Sequence, residues 1–368
     1  MRKPDLALCF LLASIASSAF SANFFWNGPD LETWDAADNN GLTWWRIGAT
    51  NGAYSATLPG TDDVCYDFQT NITLRPTVDL GTAGHFATLH LGSGANWGYS
   101  ASTGNNPVVV DSGTANCGTA SGDAVWHGSV TLNGNLQVVK SEASHLVQLY
   151  GQITGSGQLT FANVGPAFLF STSNDFRGGL VLSSNASVYA ASCGAGAIFI
   201  EHGAMLCLNS NQNWTLTNAI SGFGTNLIWN GTRTLTLSGS TLTTGTSATP
   251  GMLTVVGNLV LTNSAILSVV LGGPFGNGQL VVAGTAGLCG ARLDVSFANG
   301  FIPGPNDTFT VLTCTGSVPG PFSNDSHGVV QFSNGWQANV SYAATSGGCT
   351  VAIGNLMRTT PGSGFRLR

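Results

Sequence analysis

Residues 151–182 begin Gly151-Gln152-Ile153-Thr154-Gly155-Ser156-Gly157-Gln158-Leu159-Thr160, pass through Phe168-Leu169-Phe170-Ser171, and close on Asn174-Asp175-Phe176-Arg177-Gly178-Gly179-Leu180-Val181-Leu182. Apolar residues recur at every second position in short runs, and a period of two sends alternate side chains to opposite faces of an extended strand. Glycine, asparagine and serine separate the runs and mark tight turns. The same order returns in Asn218-Ala219-Ile220-Ser221-Gly222-Phe223-Gly224-Thr225-Asn226-Leu227, followed by Leu235-Thr236-Leu237-Ser238. One such unit cannot bury its apolar face alone, so repeated units must stack.

The rhythm extends in both directions, through Val130-Thr131-Leu132-Asn133-Gly134-Asn135-Leu136-Gln137-Val138-Val139, Ala197-Ile198-Phe199-Ile200 and Leu253-Thr254-Val255-Val256-Gly257-Asn258-Leu259-Val260-Leu261. With 50 glycines among 368 residues and only 8% charged residues, the composition favours short strands and tight turns over helices. The expected fold is all-β: a right-handed parallel β-helix, or solenoid. Its parts are an aromatic N-terminal capping β region over 22–105, β-helix repeats over 106–248, a C-terminal β module over 249–353 and a flexible tail over 354–368.

The motifs Gly157-Gln158-Leu159-Thr160, Phe168-Leu169-Phe170-Ser171 and Asn174-Asp175-Phe176-Arg177-Gly178-Gly179-Leu180-Val181-Leu182 resemble the autotransporter-associated β-strand repeat. Phe176 stands where that family usually has tyrosine, Leu182 where it has isoleucine, and Ser171-Thr172 replaces a Ser-Gly pair. A second stretch, from Ala248 to Asn324, is similar to the passenger module that follows such repeats. It includes Ala265-Ile266-Leu267-Ser268-Val269, Gln279-Leu280-Val281-Val282 and Asp307-Thr308-Phe309-Thr310-Val311-Leu312. The resemblance implies a passenger-like surface protein. The residues after Ala352 are too few for the many-stranded membrane barrel that ends autotransporters, so self-transport is not expected.

Arg2 and Lys3, the apolar stretch from Leu6 to Ala16 and the small residues from Ser17 to Ala22 read as a secretory signal peptide over 1–21, cut after Ser21. Loss of Arg2, Lys3 and Asp5 moves the formal charge from −6 to −7. Without a Lys/Arg cluster the mature chain has no footprint for nucleic acid, and no mature segment is long and apolar enough to span a membrane as a helix. The expected location is extracellular or at the cell surface. Export permits disulfides. Among Cys65, Cys117, Cys193, Cys207, Cys289, Cys314 and Cys349 the most local candidate pair is Cys193 with Cys207. None of the cysteine or histidine spacings matches a zinc site, and no cofactor is expected.

The N-terminal region carries Trp26, Trp34, Trp44 and Trp45, and Trp97 follows. Such bulk covers the open end of a solenoid, or its ring faces bind sugars. Polysaccharide-cleaving chemistry needs convergent carboxylates. Asp175 and Glu201, about one coil apart, are the best such pair, and Glu201-His202 is a weaker one because strand neighbours point to opposite faces. Asp62, Asp63 and Asp67 are read as a solvated turn before a Ca²⁺ site. Three functions follow, in order: a non-enzymatic structural or adhesin-like surface solenoid, a carbohydrate-binding protein using its tryptophans, and a polysaccharide lyase or hydrolase. Glycans and other surface proteins are the expected partners.

Overall fold

The computed structural model describes residues 22–26, parts of 40–117 and nearly all of 123–359, the exceptions in that last span being 141–145, 184, 209–211, 223, 263, 274–275 and 289. Residues 1–21, and with them the expected signal segment, lie outside the described residues.

Alternation becomes strand wherever it occurs. In Gly251–Thr262 the inward set is Gly251, Leu253, Val255, Gly257, Leu259 and Leu261, while Met252, Thr254, Val256, Asn258, Val260 and Thr262 face out. The strands form two long sheets of 13 and 16 strands and a short one of four. Within the body of the molecule neighbours pair parallel, each strand with the equivalent strand of the next coil. The result is a β-solenoid, and the helical content described is one turn at Ala298–Gly300.

Register shows what holds the coils together. On the 13-stranded sheet Leu136, Leu159, Leu180, Ile198, Ile220, Leu242, Leu267 and Leu293 align in one inward column. On the 16-stranded sheet Ala124, Val147, Ala167, Val188, Leu206, Ile228, Val255, Val282 and Cys314 do the same. Every one of these side chains is buried. A slip by one residue would turn a whole strand's apolar set to solvent, which pins the register.

The corners solve two problems. Backbone groups leaving a strand need partners, and asparagines supply them. Buried Asn174 accepts from Ile153 N–H at 2.9 Å and donates to the carbonyls of Ser171 and Ser192 at 3.2 and 3.1 Å, linking three coils. Asn218 donates to the carbonyls of Gly194 and Gly196. Asn135, Asn213, Asn258 and Asn324 each accept a backbone N–H from a neighbouring coil. The second problem is close approach. A Cβ on Gly157 would lie 1.8 Å from the Gly134 carbonyl oxygen, and one on Gly178 would lie 2.3 Å from the Gly157 carbonyl carbon. Glycine is required there because the obstacle is backbone.

Both ends depart from the parallel pattern. Trp45–Ile47 pairs antiparallel with Asn23–Trp26, which in turn pairs parallel with Val64–Asp67. At the other end Gly348–Arg358 pairs antiparallel with Thr308–Cys314, and Trp336–Thr345 with Gly348–Arg358. Parallel coils continue past residue 249, through Arg292–Phe297 and Thr308–Cys314. Gly354–Arg358 belongs to the last strand, where it pairs with Thr308, Asn339, Gln337 and Trp336.

Candidate functional site

The outer face of the 16-stranded sheet carries an aromatic strip. Val125, Gln148, Phe168, Tyr189 and Cys207 align in register there, and His127, Tyr150 and Phe170 follow two residues further along their coils. Inward Leu169 sits between outward Phe168 and Phe170, so the alternation that builds the core also places both phenylalanines outside. The rings repeat at the coil spacing and stack. Centroids lie 5.2 Å apart for His127 and Tyr150, 4.4 Å for Tyr150 and Phe170, 5.5 Å for Phe170 and Phe168, and 4.9 Å for Phe168 and Tyr189, with interplanar angles of 9–17°. Tyr150 and Phe170 remain 44% and 43% exposed.

Polar groups anchor the strip at one end. Asp123 accepts from Leu146 N–H at 2.8 Å and from the Gln148 amide at 3.4 Å, and the Tyr150 hydroxyl donates to Gln148 Oε1 at 2.8 Å. At the other end burial, with help from neighbouring Cys207, holds the Tyr189 hydroxyl above its ordinary pKa. Stacked rings cover one another's faces and present edges outward. This geometry rigidifies the wall and offers an apolar contact line, but it does not offer the open ring faces that sugar stacking uses.

A second feature lies where the last coils meet the C-terminal cap: an open recess of ≈ 470 Å³ lined by Arg292, Asn324, Ser326, Val329 and Gln331. The Asn324 carboxamide is committed to Leu293 and to the Gln331 carbonyl. Arg292 Nε is buried without a hydrogen-bond partner among the described residues. Beside the recess Asp294 accepts both the backbone N–H and the hydroxyl of Ser333, which ties the last coil to the cap.

The residues expected to act fall in different places. Trp45 is wholly buried and packs edge-on against Phe24 at 6.5 Å and 80°. That corrects its reading as a sugar platform, because a ring in the core has no face to offer. Trp26 lies on the strand Asn23–Trp26 opposite Trp45, with its side chain outside the described residues, and Trp34, Trp44 and Trp97 also lie outside them. The side chains of Asp62, Asp63 and Asp67 fall outside as well.

Asp175 sits on the four-stranded sheet in an exposed ion pair with Arg177 at 3.5 Å, whereas Glu201 follows a strand of the 13-stranded sheet, so the solenoid does not put the two carboxylates on one face. Cys193 and Cys207 are thiols, and their placement corrects the expected bridge. Cys193 belongs to the core, while Cys207 lies between inward Leu206 and Leu208 and faces out against Tyr189, so the sheet wall separates them.

In the sequence Phe168-Leu169-Phe170 marks only a strand. The usable signal was an aromatic on the outward parity of successive coils. No known protein family, curated protein or solved structure matches the chain.

Proposed function

We propose that the protein is an exported, non-enzymatic structural or adhesin-like solenoid of the cell surface or extracellular space, related to the passenger part of autotransporter-associated β-strand repeat proteins. The observation that carries this reading is the unbroken stack of parallel coils with a stacked aromatic strip along its outer wall. Such a body is a stiff, extended surface suited to many weak contacts. The carboxylates support the same reading by what they do: Asp123, Asp294, Asp307 and Asp325 each accept a backbone N–H close to a corner or cap. Those are structural tasks, held at separate points along the chain. Glycans and neighbouring surface proteins are the partners that fit this role, with contact made through ring edges and exposed threonine and asparagine side chains.

The test is expression of the full chain in a bacterial host, with and without residues 1–21, followed by fractionation, N-terminal sequencing and incubation with a polysaccharide panel. Export of a product beginning at Ala22, an elongated particle in small-angle scattering and unchanged polysaccharides are expected. Cytoplasmic retention with residues 1–21 still attached would remove the export claim, and release of new sugar ends would make the protein an enzyme.

A further inference from the structure

We propose that Cys314 and Cys349 form a disulfide that locks the C-terminal cap onto the last coil of the solenoid. Thr308–Cys314 is the last parallel strand of the 16-stranded sheet, and Gly348–Arg358 closes its edge antiparallel with Cys349 directly opposite Cys314. Residues directly opposite on antiparallel strands point to the same face, with Cβ atoms about 4.5–5.5 Å apart. A disulfide takes Cβ atoms about 3.5–4.5 Å apart, so a small adjustment suffices. Cys314 ends the inward column that begins at Ala124 and is buried, and half-buried Cys349 packs against the same core. The Cys349 backbone is among the groups that act on the Cys314 thiol, in agreement with that register. The partner on the other side of Cys349 is Ala344, so the register leaves Cys314 as its cysteine neighbour there. Both are thiols in the structure.

The reaction needs an oxidant of the disulfide class. The more exposed Cys349 thiolate attacks one sulfur of oxidised glutathione, forming a mixed disulfide and expelling one glutathione thiolate. Cys314, deprotonated, then attacks the Cys349 sulfur, forms the intramolecular bond and expels the second. The protein loses two hydrogens in all, and the oxidant ends as two reduced glutathione molecules. Burial raises the Cys314 thiol, which leaves the first attack to the more exposed Cys349. The bond would join the ends of a chain segment that contains Asp325–Ser326, Val329–Gln331 and Trp336–Thr345, the strands of the cap. The geometry is independent of export. Only persistence of the bond in an oxidising compartment rests on the proposed location, and purified protein separates the two.

The experiment treats the purified full chain with oxidised glutathione, alkylates free thiols under native and then denaturing conditions, and maps peptides without reduction. A Cys314–Cys349 linked peptide, two hydrogens lighter than its parts and released by dithiothreitol, is expected, with Cys193 and Cys207 recovered as free thiols. The oxidised protein should have a higher urea midpoint than the reduced one, and Cys349→Ala should abolish the difference between the two. Alkylation of both Cys314 and Cys349 after oxidant, or linkage of either to another cysteine, overturns the proposal.

Discussion

Burial pushes the Cys193 thiol from its ordinary 9 up to about 12, because the core cannot solvate a thiolate. Cys207, behind Tyr189, rises for the same reason to about 11, and half-buried Tyr342 rises from 10 to about 12. All three pKa values are raised, so the neutral form is the one the fold prefers. Their contribution to stability is complete below about pH 9 and is lost as pH climbs through the folded-state values, since the unfolded chain releases these protons first. The urea midpoint should therefore be flat from pH 7 to 9 and fall between 9 and 12. Cys193→Ala should make that fall shallower, and a fall of unchanged slope would show that Cys193 does not contribute to it. These two cysteines also show what chain distance hides. They are close in sequence yet lie on opposite sides of one wall, while Cys314 and Cys349, far apart in sequence, are register partners. Only strand pairing reveals either fact.

At the scale of a strand and its corner, glycine is the demanding element. Gly134, Gly157 and Gly178 stack so closely that backbone meets backbone. A methyl group at Gly157 has nowhere to go, because the obstructing atom is a carbonyl oxygen fixed by the coil below. Gly157→Ala should cost about 1–3 kcal/mol by overpacking, read as a lower urea midpoint with an unchanged slope. An exposed corner glycine with open space, such as Gly276, should tolerate alanine far better.

The position of Gly157 in a Gly-x-Leu unit was legible, as were the alternating strands and the stacking that they require. Two things were not. Parallel and antiparallel strands share a period of two, so nothing local marks the switch at Gly348–Arg358 or the continuity across 248/249. The outward parity of Phe168 and Phe170 follows only once Leu169 is known to face in, and which coils set Tyr150 and Tyr189 beside them depends on corner lengths that vary from coil to coil.

For the molecule as a whole, the vulnerable points are its two ends. A stack of parallel coils is stable in its middle, where each coil is covered on both sides, and exposes a row of unpaired backbone groups wherever it stops. Here the row on Thr308–Cys314 is paired by Gly348–Arg358, which is itself covered by Trp336–Thr345. Few charges are present to keep uncovered edges apart, since only 8% of residues are charged. Removing residues 316–368 should therefore leave the coils folded but let them join end to end. Light scattering after size exclusion should show oligomers that grow with concentration, and the far-ultraviolet β signal should persist. Cys349→Ala, which loses the proposed cross-link but keeps the cap strands, should stay monomeric. If the truncated chain also remained monomeric, the cap would not be what protects the edge. If instead it unfolded, the cap would be part of the cooperative core rather than a cover over it.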